Sequence, residues 1–364
     1  MRYLTSILLI TILHVCPSMA ATGSTSRDTL SPKSQFLGYP IAFYLPETRW
    51  GFGAAGFYNF RFKGESAASN PSQFQFSVNY TQNKQIIFTI PFELYLKENR
   101  WKAKGEISYF RYVYNFYGIG TDALFEDRET FTATYPRFRM DLLRRYGKVF
   151  TGFRFRQDRM KITNQKPGGL LQNDLITGND GGIISGFGWV FQLDKRNFIY
   201  NPNKGFFIDM EIFANGKYTG SDFSYRRMSI DASTYLRLAE DQTIAVQCST
   251  ATISGDPIFY DMLYFGSPRV MRGIQDRRFK DRNLMVWQTE YRFPIYRRLQ
   301  GVSFFSTGTV APKYSGLFTN VWKISYGAGL RIVLNKADRV RLRLDYGLTP
   351  GEGGAFYATI HDAF

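Results

Sequence analysis

Two histidines occur in the whole chain, at positions 14 and 361. Proton transfer near neutral pH draws on imidazole more often than on any other side chain. A Ser-His-Asp site would therefore have to be built on one of these two residues. No Gly-x-Ser-x-Gly stretch offers a nucleophile, and the Gly266-Ser267-Pro268 triplet is too common to replace it. Two cysteines, Cys16 and Cys248, with so few histidines do not supply a zinc ligand set. The glycine-rich stretches at 179–182 (NDGG) and 350–354 (PGEGG) lack the following Lys-Ser/Thr and the strand-helix setting of a phosphate cradle. The expectation is a protein with no catalytic residue, no metal and no cofactor, and so not an enzyme.

What the side chains do carry is charge. The stretch PRVMRGIQDRRFKDR, residues 268–282, holds six Lys or Arg and two Asp. The next segment, NLMVWQTEYRFPI, alternates. It puts Trp287, Thr289, Tyr291 and Phe293 on one face and Gln288, Glu290 and Arg292 on the other. If Arg272 dips toward that polar face, Glu290 is the first carboxylate it meets, and Arg–carboxylate pairing is bidentate and geometrically demanding. Gly273 would let the backbone turn there. The residues equally allow a solvated basic loop lying on phosphate-bearing lipids. Arg277, Arg278, Lys280 and Arg282 are expected on solvent or lipid headgroups.

The elements that must position these groups have a two-residue period. Phe74, Phe76, Val78 and Tyr80 oppose Gln73, Gln75, Ser77 and Asn79. Phe153 and Phe155 oppose Arg154 and Arg156, and Val340, Leu342, Leu344 and Tyr346 oppose Arg339, Arg341, Arg343 and Asp345. The pattern runs along most of the chain, in segments of roughly ten residues, as membrane-barrel strands require. Aromatic residues make up 17%, with 34 Phe and 24 Tyr, while mean hydropathy is slightly negative. The net charge of +16 suits either anionic lipid headgroups or a basic lumen.

The N-terminus has a basic start at Arg2, an apolar run from Leu4 to Val15 and a small-x-small site at Ser18-Met19-Ala20. This predicts a secretory signal peptide over 1–20. Val15 disfavours lipidation of Cys16, and cleavage leaves Cys248 without an internal disulfide partner. Residues 21–38 are expected as a short lead and 39–364 as the barrel. Fifteen turn-rich stretches predict about 16 strands. With both termini in the periplasm, the long connections at 118–128, 161–180, 254–281 and 311–320 fall outside. The fold class expected is all-β: a transmembrane antiparallel β-barrel. By alternation His361 faces the lumen near the end of the last strand, and Asp362 interrupts that strand's apolar face.

Three stretches also resemble the bacterial surface antigen family, the superfamily of BamA/TamA-type outer-membrane insertases and translocation pores. Met271-Arg272-Gly273-Ile274 stands where that family has apolar–Arg–Gly–aromatic, with Ile274 in place of the aromatic. Asp194, Arg196, Pro202 and Gly205 match its Asp-x-Arg…Pro-x-x-Gly turn, and the closing strands end in Phe364. The resemblance implies that the sixth loop folds into the lumen and locks there through Arg272, and that Phe364 is an assembly signal. It also implies an acid in the Phe304–Gly308 strand, where this chain has Ser306. Glu290 and Asp345 then remain as partners for Arg272. The family's POTRA repeats have no room before the first strand, so partner proteins would replace them. The function implied is outer-membrane protein assembly, insertion or translocation. The expected surroundings are outer-membrane lipids, protein partners in a complex and a polypeptide substrate, with no nucleic acid. A passive pore for anionic solutes and a structural subunit of an outer-membrane complex are the alternatives.

Overall fold

The computed structural model describes residues 34–364 except 46–48, 67–68, 174, 199–200, 336–339, 352 and 361–362. The predicted signal peptide, His361 and Asp362 lie outside the described residues. The strands are β1 (Gln35–Leu45), β2 (Arg49–Phe60), β3 (Ser72–Thr81), β4 (Ile86–Leu96), β5 (Trp101–Phe116) and β6 (Glu129–Tyr146). There follow β7 (Val149–Thr163), β8 (Gly181–Asp194), β9 (Gly205–Asn215), β10 (Ser224–Ala239) and β11 (Gln242–Asp256). After the sixth loop come β14 (Asn283–Tyr296), β15 (Leu299–Ala311), β16 (Lys323–Asn335), β17 (Val340–Thr349) and β18 (Gly353–Ile360). These sixteen form one antiparallel sheet in chain order, the fold of a transmembrane β-barrel. Inside the sixth loop, β12 (Leu263–Phe265) and β13 (Phe279–Asp281) make a separate two-stranded hairpin. The sheet starts at Gln35, four residues before the expected barrel start at Tyr39.

Register explains the alternation. Leu142 pairs with Phe153 and both side chains are exposed on the outer face, while neighbouring Asp141 pairs with Arg154 on the inner one. An apolar outer face against a charged inner face is what lipid outside and a polar interior select. The sheet curls around the sixth loop. Tyr260 and Asp261 of that loop touch β6, β7 and β10, and Arg272 touches β14 and β17. Tight turns such as Gly147-Lys148 lie at one end, and the three longest connections, 117–128, 164–180 and 257–282, lie at the other.

β1 and β18 end the sheet, and among the described residues no ladder joins them. β1 carries Pro40 opposite Ala54. Proline lacks a backbone N–H, so Pro40 removes one possible donor from this end strand, as Pro91, Pro136 and Pro294 do within β4, β6 and β14. β18 spans only eight residues and opens with Gly353 and Gly354.

Candidate functional site

The site is the tip of the sixth loop. Alternation aims Gln288, Glu290 and Arg292 of β14 inward, with Arg331 of β16 and Arg343 and Asp345 of β17. All six are buried. Arg272 reaches them from the loop. Its Nη2 lies 2.5 Å from Glu290 Oε1 and its Nη1 lies 2.6 Å from Asp345 Oδ2, with all three side chains at 0% exposure. The guanidinium also sits 3.7 Å from the centre of the Phe304 ring. One arginine thus joins two strands that are not neighbours, because β15 and β16 lie between them.

Small residues make the approach feasible. Gly273 has φ +106°, a region that side chains avoid. A Cβ at Gly347 of β17 would stand 2.6 Å from the Arg272 carbonyl carbon, so only glycine lets the loop backbone seat there. The Gly273 N–H donates to Tyr357 Oη of β18 at 3.0 Å. Met271 adopts φ +54°, and its N–H donates to Gln288 Oε1 at 2.8 Å. Ser306, at the position where the resemblance implies an acid, donates to the same Gln288 oxygen at 3.3 Å. It supports the amide that holds the loop backbone, while Asp345 supplies the second carboxylate. Ile274 is buried beside this turn.

The network extends toward the tight-turn end. Arg292 pairs with Glu290 at 2.9 Å, and its guanidinium donates to the backbone oxygens of Phe364 at 3.0 Å and Pro202 at 3.4 Å. Arg331 contacts Asp345, and Arg343 donates to the Pro268 carbonyl at 2.6 Å. In the turn before β9, Arg196 pairs with Asp194 at 2.7 Å and stacks over Phe207 at 4.4 Å. Gly205 opens β9. The Met271–Ile274 tip, Pro202 and Phe364 therefore converge through Glu290 and Arg292. Four guanidiniums, of Arg272, Arg292, Arg331 and Arg343, surround two carboxylates.

A second anchor, which the sequence reading missed, holds the loop to the opposite wall. Asp261 pairs with Arg156 of β7 at 2.8 Å and accepts from Tyr225 Oη of β10 at 2.5 Å. Burial pushes the Asp261 carboxyl up, but Arg156, Arg227 and Tyr225 outweigh this and hold it well below the usual carboxylate range. Tyr260 Oη bonds Tyr135 Oη at 2.8 Å, which bonds Tyr114 Oη at 2.8 Å. The expectation of solvated basic residues after the tip needs correction. Arg277 lies over the rings of Tyr114, Tyr260 and Tyr264 at 5.3, 4.5 and 4.5 Å. Arg278 is buried, and its Nε donates to the Ala123 carbonyl at 3.0 Å. Lys280 is buried against Phe116 and Phe259. Arg282 alone of the four keeps a side chain with substantial exposure, at 40%, beside Asp256. The aromatic faces supply cation–π partners that the spacing of the loop does not reveal.

Beneath the loop lies a chamber of about 780 Å³ lined by Arg137, Arg139, Arg154, Arg227, Glu211 and Asp231, among others. Among the described residues, no group of three metal-ligating side chains occurs.

Comparison with known proteins fits this geometry. BamA from Haemophilus ducreyi lacking POTRA domains 1–3 superposes with a TM-score of 0.59 at 12% identity, over 90% of this chain and 69% of that one. CdiB from Escherichia coli gives 0.58 at 11%, over 90% and 61%. CdiB from Acinetobacter baumannii gives 0.54 at 13%, over 90% and 59%. The chain thus spans about three fifths of the two CdiB chains. At these identities the likeness concerns the fold. No curated protein matches the sequence significantly. The Omp85 superfamily domain matches residues 59–357, which include the loop tip and both of its carboxylate partners, and the chain belongs to the Omp85 superfamily.

Proposed function

We propose that the protein acts in the assembly, insertion or translocation of polypeptides at the bacterial outer membrane, without enzymatic chemistry and together with partner proteins. The observation that carries this reading is the sheet's two ends. β1 and β18 end the sheet and share no ladder among the described residues. Free edges present unpaired backbone N–H and C=O groups, on which an incoming strand pairs by β-augmentation. The locked sixth loop supports the same reading. It crosses the lumen between two walls, so a polypeptide route along the seam is favoured over one through an open pore.

The test is a set of cysteine pairs across the seam, one in Tyr39–Phe43 and one in Phe356–Thr359, in a Cys248→Ser background. Oxidation is expected to stop assembly or export of other outer-membrane proteins in the protein's own cells, and reduction to restore it. Efficient crosslinking that leaves both processes untouched would overturn the proposal.

A further inference from the structure

The tight-turn end carries a second feature with its own chemistry. Three consecutive turns, β4–β5, β6–β7 and β8–β9, present Lys97, Arg100, Arg144, Arg145, Lys148 and Lys195, all exposed. Main-chain bonds tie the turns together: Arg145 N–H to the Arg100 carbonyl at 2.8 Å, and Asp194 N–H to the Lys148 carbonyl at 3.3 Å. Among the described residues, none of the six cations makes an ion pair. The nearby acids are occupied instead. Glu65 accepts from the Lys97 and Glu98 N–H groups at 2.6 and 2.7 Å. Glu98 accepts from Ser66 N–H and Oγ at 2.6 and 2.5 Å, and Asp194 is held by Arg196.

Aromatic rings back the cations. The Arg144 guanidinium lies 5.6 Å from the Trp101 ring and 5.1 Å from the Tyr146 ring, and Lys195 Nζ lies 5.2 Å from Phe206. Arg144 shares its outward face with Leu142, which pairs with Phe153, and Phe153 contacts Trp189 at 4.7 Å. The basic patch is therefore continuous with the apolar outer belt. Positive charge directly beside an interfacial aromatic girdle is what a phosphate-bearing headgroup meets while its acyl chains lie on the belt. A soluble acidic protein would use the charge without the adjoining apolar surface.

We propose that this patch is a binding surface for anionic phospholipid headgroups of the leaflet at the tight-turn end. This rests on the membrane-barrel fold and not on the assembly reading, so either stands if the other fails. The test uses the full-length barrel in neutral detergent, with native mass spectrometry of retained phosphatidylglycerol and phosphatidylcholine of matched chains. Phosphatidylglycerol is expected to be retained preferentially. The triple variant Arg144→Gln, Lys148→Gln, Lys195→Gln should lower its retention about tenfold, to the phosphatidylcholine level. Neutralising Lys84, Lys217 and Lys313 to Gln at the opposite end should change nothing, with circular dichroism establishing that both variants are folded. Equal retention of the two lipids by the wild-type protein overturns the proposal, as does a triple variant that keeps its preference. Complete displacement of the lipid by inorganic phosphate would assign a free-phosphate site instead. Displacement by soluble polyglutamate would assign an acidic protein partner, and each of these results also overturns the proposal.

Discussion

At the scale of single residues, the lock depends on a planar fork. Arg272 gives one terminal nitrogen to Glu290 and the other to Asp345, with no exposure to water. Removing one partner of such a buried pair leaves an uncompensated charge, at a cost of about 3–5 kcal/mol. Glu290→Ala and Arg272→Ala are each expected to release the tip of the sixth loop while the strands stay folded. Limited proteolysis of the folded barrel reads this as cleavage near residues 268–282. Unchanged protection in Glu290→Ala would mean that the pair does not hold the loop. Arg272→Lys is expected to behave nearly as badly as Ala, because one ammonium cannot serve two carboxylates on different strands. Alternation offered Glu290 as the first carboxylate for Arg272, since both lie within one loop–strand unit, but it equally allowed a solvated loop, and only the family resemblance implied the lock. Asp345 was legible only as one of two partners, and Ser306 as a departure. That Ser306 works through Gln288 needed coordinates, because a serine's role depends on which acceptor lies within about 3 Å.

At the scale of elements, sixteen strands and fifteen connections could be counted from the sequence because a half-lipid, half-polar strand imposes strict alternation. The interior of the sixth loop obeys no such period. Its hairpin strands are three residues each, and Asp261 finds Arg156 across 105 positions of sequence. The available signal was Arg156 itself, an inward arginine that required a lumenal partner. The hairpin also carries a pH dependence. Burial pushes the Lys280 ammonium down to about 7, Arg277 adds to the effect and Asp276 opposes it. Phe116 and Phe259 face the ammonium from β5 and the loop, and neither titrates. A lysine with a lowered value in the docked state costs docking stability while it must be charged, below about pH 7. That cost is relieved as pH rises toward the free lysine value. Hydrogen exchange of β12 and β13 should therefore slow between about pH 7 and pH 10 beyond the intrinsic chemical trend. Lys280→Met should remove the extra slowing. An identical pH profile in that variant would assign the effect elsewhere.

At the scale of the whole molecule, the sixth loop is a strut between two walls. Asp261 fixes it to β7 and β10, and Arg272 fixes it to β14 and β17. Each anchor is buried and ionic, and they sit in different parts of the loop, so releasing one leaves the other holding. The energetic effects of distant, independent sites add, but occlusion of a pore does not, since a loop tethered at either end still obstructs it. In planar bilayers the wild-type barrel is expected to conduct little. Asp261→Ala and Arg272→Ala should each raise conductance modestly, and the double variant should open the lumen. The exposed walls would then carry Arg292, Arg331 and Arg343 against Glu290 and Asp345, together with the arginine-lined chamber. Lumenal cations in excess concentrate anions, so the opened pore should select for them. A double variant whose loop is cleaved by protease and yet stays silent would show that something other than this loop closes the barrel. Cation selectivity would show that the lumenal arginines remain neutralised once the loop has left. An opened lumen in the double variant would also move the balance between the seam and the lumen as the route for a polypeptide, because a lumen that opens readily on losing two side-chain anchors is a route that the native protein keeps shut with those anchors.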